Sequence, residues 1–452
     1  MRYILYILAL VVVSSSFLPL EETTDLEASV FDGASISYKV VDLKNKQVIK
    51  ELNPNLLLAP ASTQKIITTS FAIDHLGEDF KFYSTIGIVG AVNNGVLEGD
   101  IVFKPNSNPA LCNERWGYSL ASLASEITRY LNLNKIEKVT GSFILVDSLL
   151  EVQTLPRTWI YEDIGNYFGA NPSGTMVNEN KLALFFTSGN VGEITKIIKT
   201  EPKIELVIEN RVVSHDSNSD LAYAFGTPGS KTVLVTGGIP ANRKNFKVTA
   251  ALPNPRDVVN EYLSEKLAGF NISNFEIKSR LETKTQSTTK IHVIEIKDVI
   301  YQTNQNSVNI LAEILKQNIE KTESLSTIFK NDYQTTSSPI FFDGSGLSRF
   351  NAVASNHLVK ILVKQKNNSI FTESLSVGGV SGTLKNMFAG SSCAGKVSAK
   401  SGYMEGVRSY AGYISTSSGK ELAFAVIVNN YTGDKYQVRN ELKKWIENLY
   451  EL

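Results

Sequence analysis

The sequence predicts an α+β protein: an antiparallel sheet covered by helices, built from both ends of the chain and split by a β-rich insertion of two sub-domains. Three observations carry this. An alternating two-strand pattern follows Gly33, three strand-like runs succeed one another between Lys396 and Asn430, and short strands and turns fill the stretch from about residue 82 to about residue 291.

The elements follow in order. "ASISYKVVDLKNKQVIKELN" alternates around a Lys-Asn-Lys turn and reads as a hairpin over 36–41 and 48–52. In "LLLAPASTQKIITT", Pro60 stands near the first turn of a helix that ends at Gly77. Its apolar residues Ile66, Ile67, Ile73 and Leu76 share one stripe. The strand-rich stretch comes next: "YSTIGIVGAVNNGVLEGDIVFK", "GSFILVDS", "IELVIENRVVS", "KTVLVTGGI" and "NFKVTAAL", punctuated by Asn-Gly, Gly-Asp and Gly-Gly at hairpin-like intervals. One amphipathic helix, near Ser119 to Leu131, interrupts it.

Helical character returns at "NSVNILAEILKQNIEK", where Ile310, Leu311, Ile314, Leu315 and Ile319 form a stripe. "KVSAKSGYM", "RSYAGYIST" and "LAFAVIVNN" then read as three strands in hairpin order. The closing helix puts Val438, Leu442, Trp445, Ile446 and Leu449 on one face. The expected division is a signal over 1–20, a split domain of 21–82 and 292–452, and an insertion over 83–291.

Composition limits what the chain can do. At 452 residues it exceeds what one core usually organises. Lysine plus arginine equals aspartate plus glutamate at 45 each, so no overall field draws nucleic acid or an anionic membrane. "MRYILYILALVVVSSSFLPLEE" has an early cation, an apolar run and small residues, the pattern of a secretory signal. The competing reading is an uncleaved membrane anchor, since Phe17 to Leu20 prolong the apolar run. The two cysteines, Cys112 and Cys393, are too few for a disulfide scaffold. The four histidines, His75, His215, His292 and His357, lack ligand spacing, so neither metal nor cofactor is expected.

The chemistry centres on Ser62 and Lys65. Three residues apart on a helix, they share a face, and a lysine left neutral by burial or by a nearby cation can take the hydroxyl proton. The spacing alone is unspecific, because Ser417 and Lys420 repeat it in "STSSGKEL", which reads as a turn between strands. Two further groups stand in order behind Ser62: Ser307-Val308-Asn309 at a helix start and Lys400-Ser401-Gly402 on a strand. Lys400 is the candidate for the cation that depresses Lys65.

Together these three groups resemble the S-x-x-K, S-x-N and K-[ST]-G motifs of the serine acyl-transferases that include penicillin-binding proteins and serine β-lactamases. The 245 residues from Ser62 to Ser307, the difference of 307 and 62, leave room for the long insertion of the D-alanyl-D-alanine carboxypeptidase/endopeptidase family, the class C low-molecular-mass penicillin-binding proteins. "LEGDIVFKPNSNPAL", "PRTWIYEDIGNYFGANPSGTMVNEN", "DGSGLSRFN" and "GVSGTLKNMF" resemble segments of the same family. The third motif is Lys-Ser-Gly where Lys-Thr-Gly is usual, and valine replaces a common aspartate in the second.

The resemblance implies a penicillin-binding transpeptidase-like domain and a serine D,D-peptidase acting through an acyl-enzyme on Ser62. Lys65 would be the base and Ser307 a proton relay. Asn309 would orient Lys65 and a substrate amide, while Lys400 and Ser401 would clamp a terminal carboxylate. Gly402 would admit a flat substrate backbone, and the N–H groups of Ser62 and Tyr403 would form an oxyanion hole. Ser345, Gly346, Arg349 and Asp163 would line the pocket. Implied partners are peptidoglycan stem peptides and β-lactams as covalent inhibitors, with a peripheral membrane contact left open. The alternatives are a β-lactamase or D-amino-acid amidase using the same motifs, or a non-catalytic wall-binding relative. A Gly-x-Ser-x-Gly elbow, the mark of a Ser-His-Asp esterase, is absent from the sequence.

Overall fold

Strand Glu421–Asn429 is buried along nearly its whole length, and the molecule is layered about it. The computed structural model describes Leu26 and residues 30–452, so the segment read as an export signal lies outside the described residues. Six strands form an antiparallel sheet in the order Ser376–Val377, Val397–Met404, Val407–Ser415, Glu421–Asn429, Ser35–Asp42, Val48–Leu52. The N-terminal hairpin joins the C-terminal strands in register, from Ser35 opposite Asn429 to Asp42 opposite Leu422.

Alternation along the central strand sorts its two faces. Leu422, Phe424, Val426 and Val428 pack with Val438, Leu442, Trp445 and Ile446 of the closing helix, Lys435–Tyr450. Ala423, Ala425 and Ile427 turn to the other side, towards Ile66, Phe71, Leu311 and Leu358. Small alanines on that face let a thick helical layer approach the sheet, while large side chains fill the gap under a single helix.

The helix Gln64–Leu76 lies within that thick layer. Every residue from Gln64 to Ile73 is buried, so the single apolar stripe read from the sequence understates its enclosure. Its polar side chains are bonded internally: Thr68 Oγ1 donates to Gly344 O at 2.6 Å, and Gln365 Nε2 donates to Ser70 Oγ at 2.9 Å.

Between the halves of this sheet, the Asn94-Gly95 turn joins Lys81–Asn93 to Val96–Lys104 as an antiparallel pair. The hairpin expectation fails further on. Val96–Lys104 pairs in parallel with Ser142–Val146, the chain crossing over through the helix Leu120–Leu133, and Thr232–Pro240 runs parallel to Val207–His215. Glycine-rich turns mark chain reversals but do not say which strand lies alongside, and a helix between two strands permits a parallel crossover.

Several helices escaped the sequence reading, among them Pro255–Lys266, Ile296–Gln305, Leu325–Asp332 and Ser355–Gln365. Pro255–Lys266 buries only Pro255, Val258, Val259 and Leu263 among many charges, whereas Ile296–Gln305 buries the polar Thr303, Asn304 and Gln305 beside Ile296, Val299 and Ile300. The turn Ser417 to Lys420 connects the strands ending at Ser415 and beginning at Glu421, as expected.

Candidate active site

Pro60 and Ala61 turn the chain sharply into the buried helix, with Ala61 at φ 48° and Ser62 in the single 3-10 turn Ala61–Thr63. That left-handed residue directs Ser62, half-buried, towards the sheet edge formed by Val397–Met404. Gly346, at φ 82°, backs the turn so closely that a Cβ there would land on Ala61 O. Gly402 packs against it from the strand, where a Cβ would overlap Ser409 Oγ and lie 2.8 Å from Pro60 O. The sequence reading gave Gly402 the task of admitting substrate; the observed close approach is to the turn that carries Ser62.

Lys65 Nζ is the centre of a three-bond cluster. It donates to Ser62 Oγ at 2.9 Å, to Asn309 Oδ1 at 2.6 Å and to Ser345 O at 2.7 Å. Burial pushes its pKa down to about 7, against the opposing pull of Asp343 and Glu313. The amine is therefore available as a proton acceptor at neutral pH.

Lys400 occupies the far side, donating to Ser307 Oγ at 2.9 Å and Ser401 O at 2.8 Å. Burial lowers its pKa well below the usual lysine range, and the charge of Lys65 adds to this. The assignment of Lys400 as the cation that depresses Lys65 is thus corrected: burial is the leading cause for Lys65. Burial lowers both lysines; buried carboxylates, Asp343 and Glu313, oppose the shift at Lys65, and the charge of Lys65 adds to it at Lys400.

Ser307 sits between two helices at φ 56°, which points its hydroxyl at Lys400. Asn309 begins the next helix, Asn309–Ile319, and its Nδ2 donates to Phe168 O at 2.8 Å, tying the second motif to the inserted segment. Ser401 Oγ donates to Thr383 Oγ1 at 2.8 Å. The short strand Ser376–Val377 pairs only with Ala399 and Ser398, so the Lys400 to Met404 stretch keeps one edge without a strand partner. Tyr403 is exposed on that stretch, with the Arg408 guanidinium 4.2 Å from its ring centroid.

The remaining sequence candidates fall into two groups. Ser345 and Gly346 are buried; Ser345 meets Lys65 through its carbonyl, and Gly346 packs on Ala61 and Gln64. Arg349 is exposed, donating to Glu405 O at 2.9 Å. Partial burial pushes the Asp163 carboxyl up to about 6, with Arg349 pulling the other way, so these two share one neighbourhood at the rim.

Several contributors went unread in the sequence. Asp343 accepts N–H bonds from Gly346 and Ser348 at 2.8 and 2.6 Å, and the Trp159 indole N–H at 2.8 Å. Ser348 Oγ donates to Thr158 Oγ1 at 2.6 Å, a second tie from the inserted segment. Glu313, an acid inside the apolar run "ILAEILKQNI", was the one visible signal: a charge on a buried stripe needs an internal partner. The histidines stay apart and local. His292 and His357 are both pushed down to about 4 by burial, and His357 Nδ1 accepts the Ala354 N–H at 3.2 Å. Cys112 and Cys393 are both free and lie in different apolar clusters.

Comparison with known proteins identifies the family. The model of the D-Ala-D-Ala carboxypeptidase 3 (S13) family matches residues 23–449. The D-alanyl-D-alanine carboxypeptidase DacB of Haemophilus influenzae is 24% identical over 454 residues, covering 94% of this chain and 92% of that protein. A D-alanyl-D-alanine carboxypeptidase of Actinomadura sp. is 24% identical over 445 residues, covering 90% and 80%. In three dimensions the chain resembles the crystal structure of penicillin binding protein 4 (dacB) from Haemophilus influenzae. The TM-score is 0.79 at 22% identity, covering 94% of this chain and 98% of that one. The peptidoglycan endopeptidase Bd3459 of Bdellovibrio bacteriovorus matches at TM-score 0.53 and 16% identity, covering 92% of each chain. These likenesses bear out the α+β fold read from the sequence.

Proposed function

Because the chain belongs to the D-Ala-D-Ala carboxypeptidase 3 (S13) family and is a serine-type carboxypeptidase, we propose that its reaction runs through an acyl-enzyme on Ser62. The observation that carries this is the 2.9 Å bond between Ser62 Oγ and a buried Lys65 whose pKa lies near 7. A neutral Lys65 takes the hydroxyl proton as Oγ attacks the carbonyl of the penultimate D-alanine. Backbone N–H groups of Ser62 and Tyr403 hold the developing oxyanion. The C–N bond then breaks, and Ser307, bonded to Lys400, passes a proton to the departing amine of D-alanine. Water hydrolyses the ester and restores Ser62.

Substrate recognition follows from the same groups. Lys400, Ser401 and Thr383 offer a terminal carboxylate one amine and two hydroxyls on the open strand edge. A carboxylate arriving there stabilises the charged form of Lys400 and opposes the lowering that burial imposes on it. Asn309 holds Lys65 and leaves Nδ2 on the Phe168 carbonyl of the inserted segment. Arg349 and Asp163, at the rim, would meet the charged groups of the stem peptide's third residue.

Stem peptides and β-lactams are the proposed partners. The Haemophilus influenzae relative, at TM-score 0.73, has been crystallised with a β-lactam. We read the chain as an export signal over 1–20, a catalytic domain of 21–82 and 292–452, and an insertion over 83–291; the sheet shared by both ends supports this division. Export to the periplasm rests on the first twenty residues. Among the described residues no helix is long and apolar enough to cross a membrane.

The test is covalent labelling with a fluorescent penicillin. Wild type should be labelled and the Ser62→Ala variant should not; labelling that survives the substitution overturns the nucleophile assignment. A long-lived adduct separates the peptidase from a β-lactamase, whose ester turns over rapidly. Mass spectrometry of digested muropeptides reads the bond cut: loss of one alanine is trimming, and dimers becoming monomers is cross-link cleavage.

A further inference from the structure

We propose that Glu313 is a positioning residue for Lys65, gripping the Gly344–Ser345 backbone whose carbonyl holds the lysine amine. Its carboxylate, buried in the helix that Asn309 begins, accepts the Ser345 N–H at 2.8 Å and the Gly344 N–H at 3.1 Å. Ser345 O, the carbonyl of that same residue, accepts Lys65 Nζ at 2.7 Å. Glu313 and Asn309 are four residues apart on one helix, so a single rigid element supplies two of the three constraints on Lys65: Asn309 directly and Glu313 through the loop. The proposal rests on Lys65 acting as the base towards Ser62.

The carboxylate also acts through its charge. It opposes the burial that neutralises Lys65, and its own pKa is pushed up to about 7 by burial and by Asp343. The charged groups that face it are Asp343 from the loop, Lys65 from the buried helix and Lys316 on its own helix. Arg157, Lys321 and Glu320 stand on the wall of an adjoining cavity of about 500 Å³. A negative charge near an amine stabilises its ammonium form, so removing that charge must lower the lysine pKa. Glu313 thus fixes where Lys65 points and sets the pH at which it becomes a base.

Two variants separate these effects. In Glu313→Gln one oxygen remains to accept both N–H groups while the charge is lost; in Glu313→Ala both are lost. The readout is the single-turnover acylation rate with a chromogenic cephalosporin, followed from about pH 5 to about pH 9. Glu313→Gln should keep a plateau rate within a few-fold of wild type and move the acid limb down by roughly one pH unit. Glu313→Ala should lower the plateau by roughly ten- to a hundredfold.

A Glu313→Gln profile that coincides with wild type overturns the effect of its charge, and a Glu313→Ala plateau equal to wild type overturns the positioning of Lys65. Should the alanine variant fail to fold, the glutamine variant carries the test alone. Ser62→Ala, run alongside, separates the two levels: acylation that persists in it sinks the Ser62 reading, whereas an inert Ser62→Ala with an unmoved Glu313→Gln limb sinks only the charge effect of Glu313.

Discussion

Asn309 Oδ1 accepts a hydrogen bond from Lys65 Nζ at 2.6 Å across 244 residues of chain. The whole insertion lies between them in sequence, and it returns to the pair through Phe168 O, which receives the other end of the same amide. One asparagine therefore links the helix of Lys65, the second motif and the inserted segment.

The first prediction concerns pH. Below about pH 7 Lys65 is an ammonium with no lone pair to accept the serine proton; above it the free amine predominates. Acylation of wild type by a penicillin should rise with pH through about 7 and then level. A rate that is flat across that interval removes Lys65 from the role of base.

Gly346→Ala places a methyl group on Ala61 O at a backbone angle of φ 82°, which a residue with a Cβ rarely adopts. The Ser62 turn must shift or the loop must open. Overpacking of this kind costs about 1–3 kcal/mol, so thermal unfolding should move to lower temperature and acylation should slow at every pH. An unchanged rate would mean that the backing of the turn is irrelevant to the alignment of Ser62.

Trp159→Phe deletes the indole N–H that reaches Asp343 Oδ2 while keeping an aromatic ring in its place. A buried carboxylate that loses one donor costs about 1–3 kcal/mol. The 343–348 loop, which carries the carbonyl holding Lys65, should loosen, lowering both the unfolding temperature and the acylation rate. Circular dichroism melts and stopped-flow acylation measure the two effects on one preparation.

Trp445→Ala supplies the contrast. Trp445 is fully buried between the closing helix and the sheet face opposite the site, with its ring 5.2 Å from that of Tyr38. Truncation should cost about 3–5 kcal/mol and lower the denaturation midpoint, yet the protein that remains folded at low temperature should acylate at the wild-type rate. A large loss of rate in folded protein would couple this core face to Ser62.

The sequence by itself determined the elements that carry their own period. The strand-like runs "ASISYKVVD" and "LAFAVIVNN" were enough for the strands, and the 3.6-residue stripe in "VRNELKKWIENL" for the closing helix, where it encodes which side is buried. It also determined the three chemical groups and their order, since a serine, a lysine and an asparagine of the right type stand at recognisable spacings. The helix Pro255–Lys266 was missed where a sparse stripe gives a weak period, Ile296–Gln305 because half of its buried residues are polar, and the parallel pairings because turn residues do not name a neighbour.

Only the tertiary structure decided how those groups work. Burial of Lys65, the carboxylates of Glu313 and Asp343 beside it, and the glycines that bring the 343–348 loop and the third strand onto Ala61 all depend on residues hundreds of positions apart. A pKa is set by the dielectric and charges surrounding a group, and those are properties of what packs against it, which no local pattern contains. Lys400 shows the difference: the sequence could supply it as a second cation near Lys65, but only the folded chain showed that burial is the leading cause of the lowered pKa of both amines.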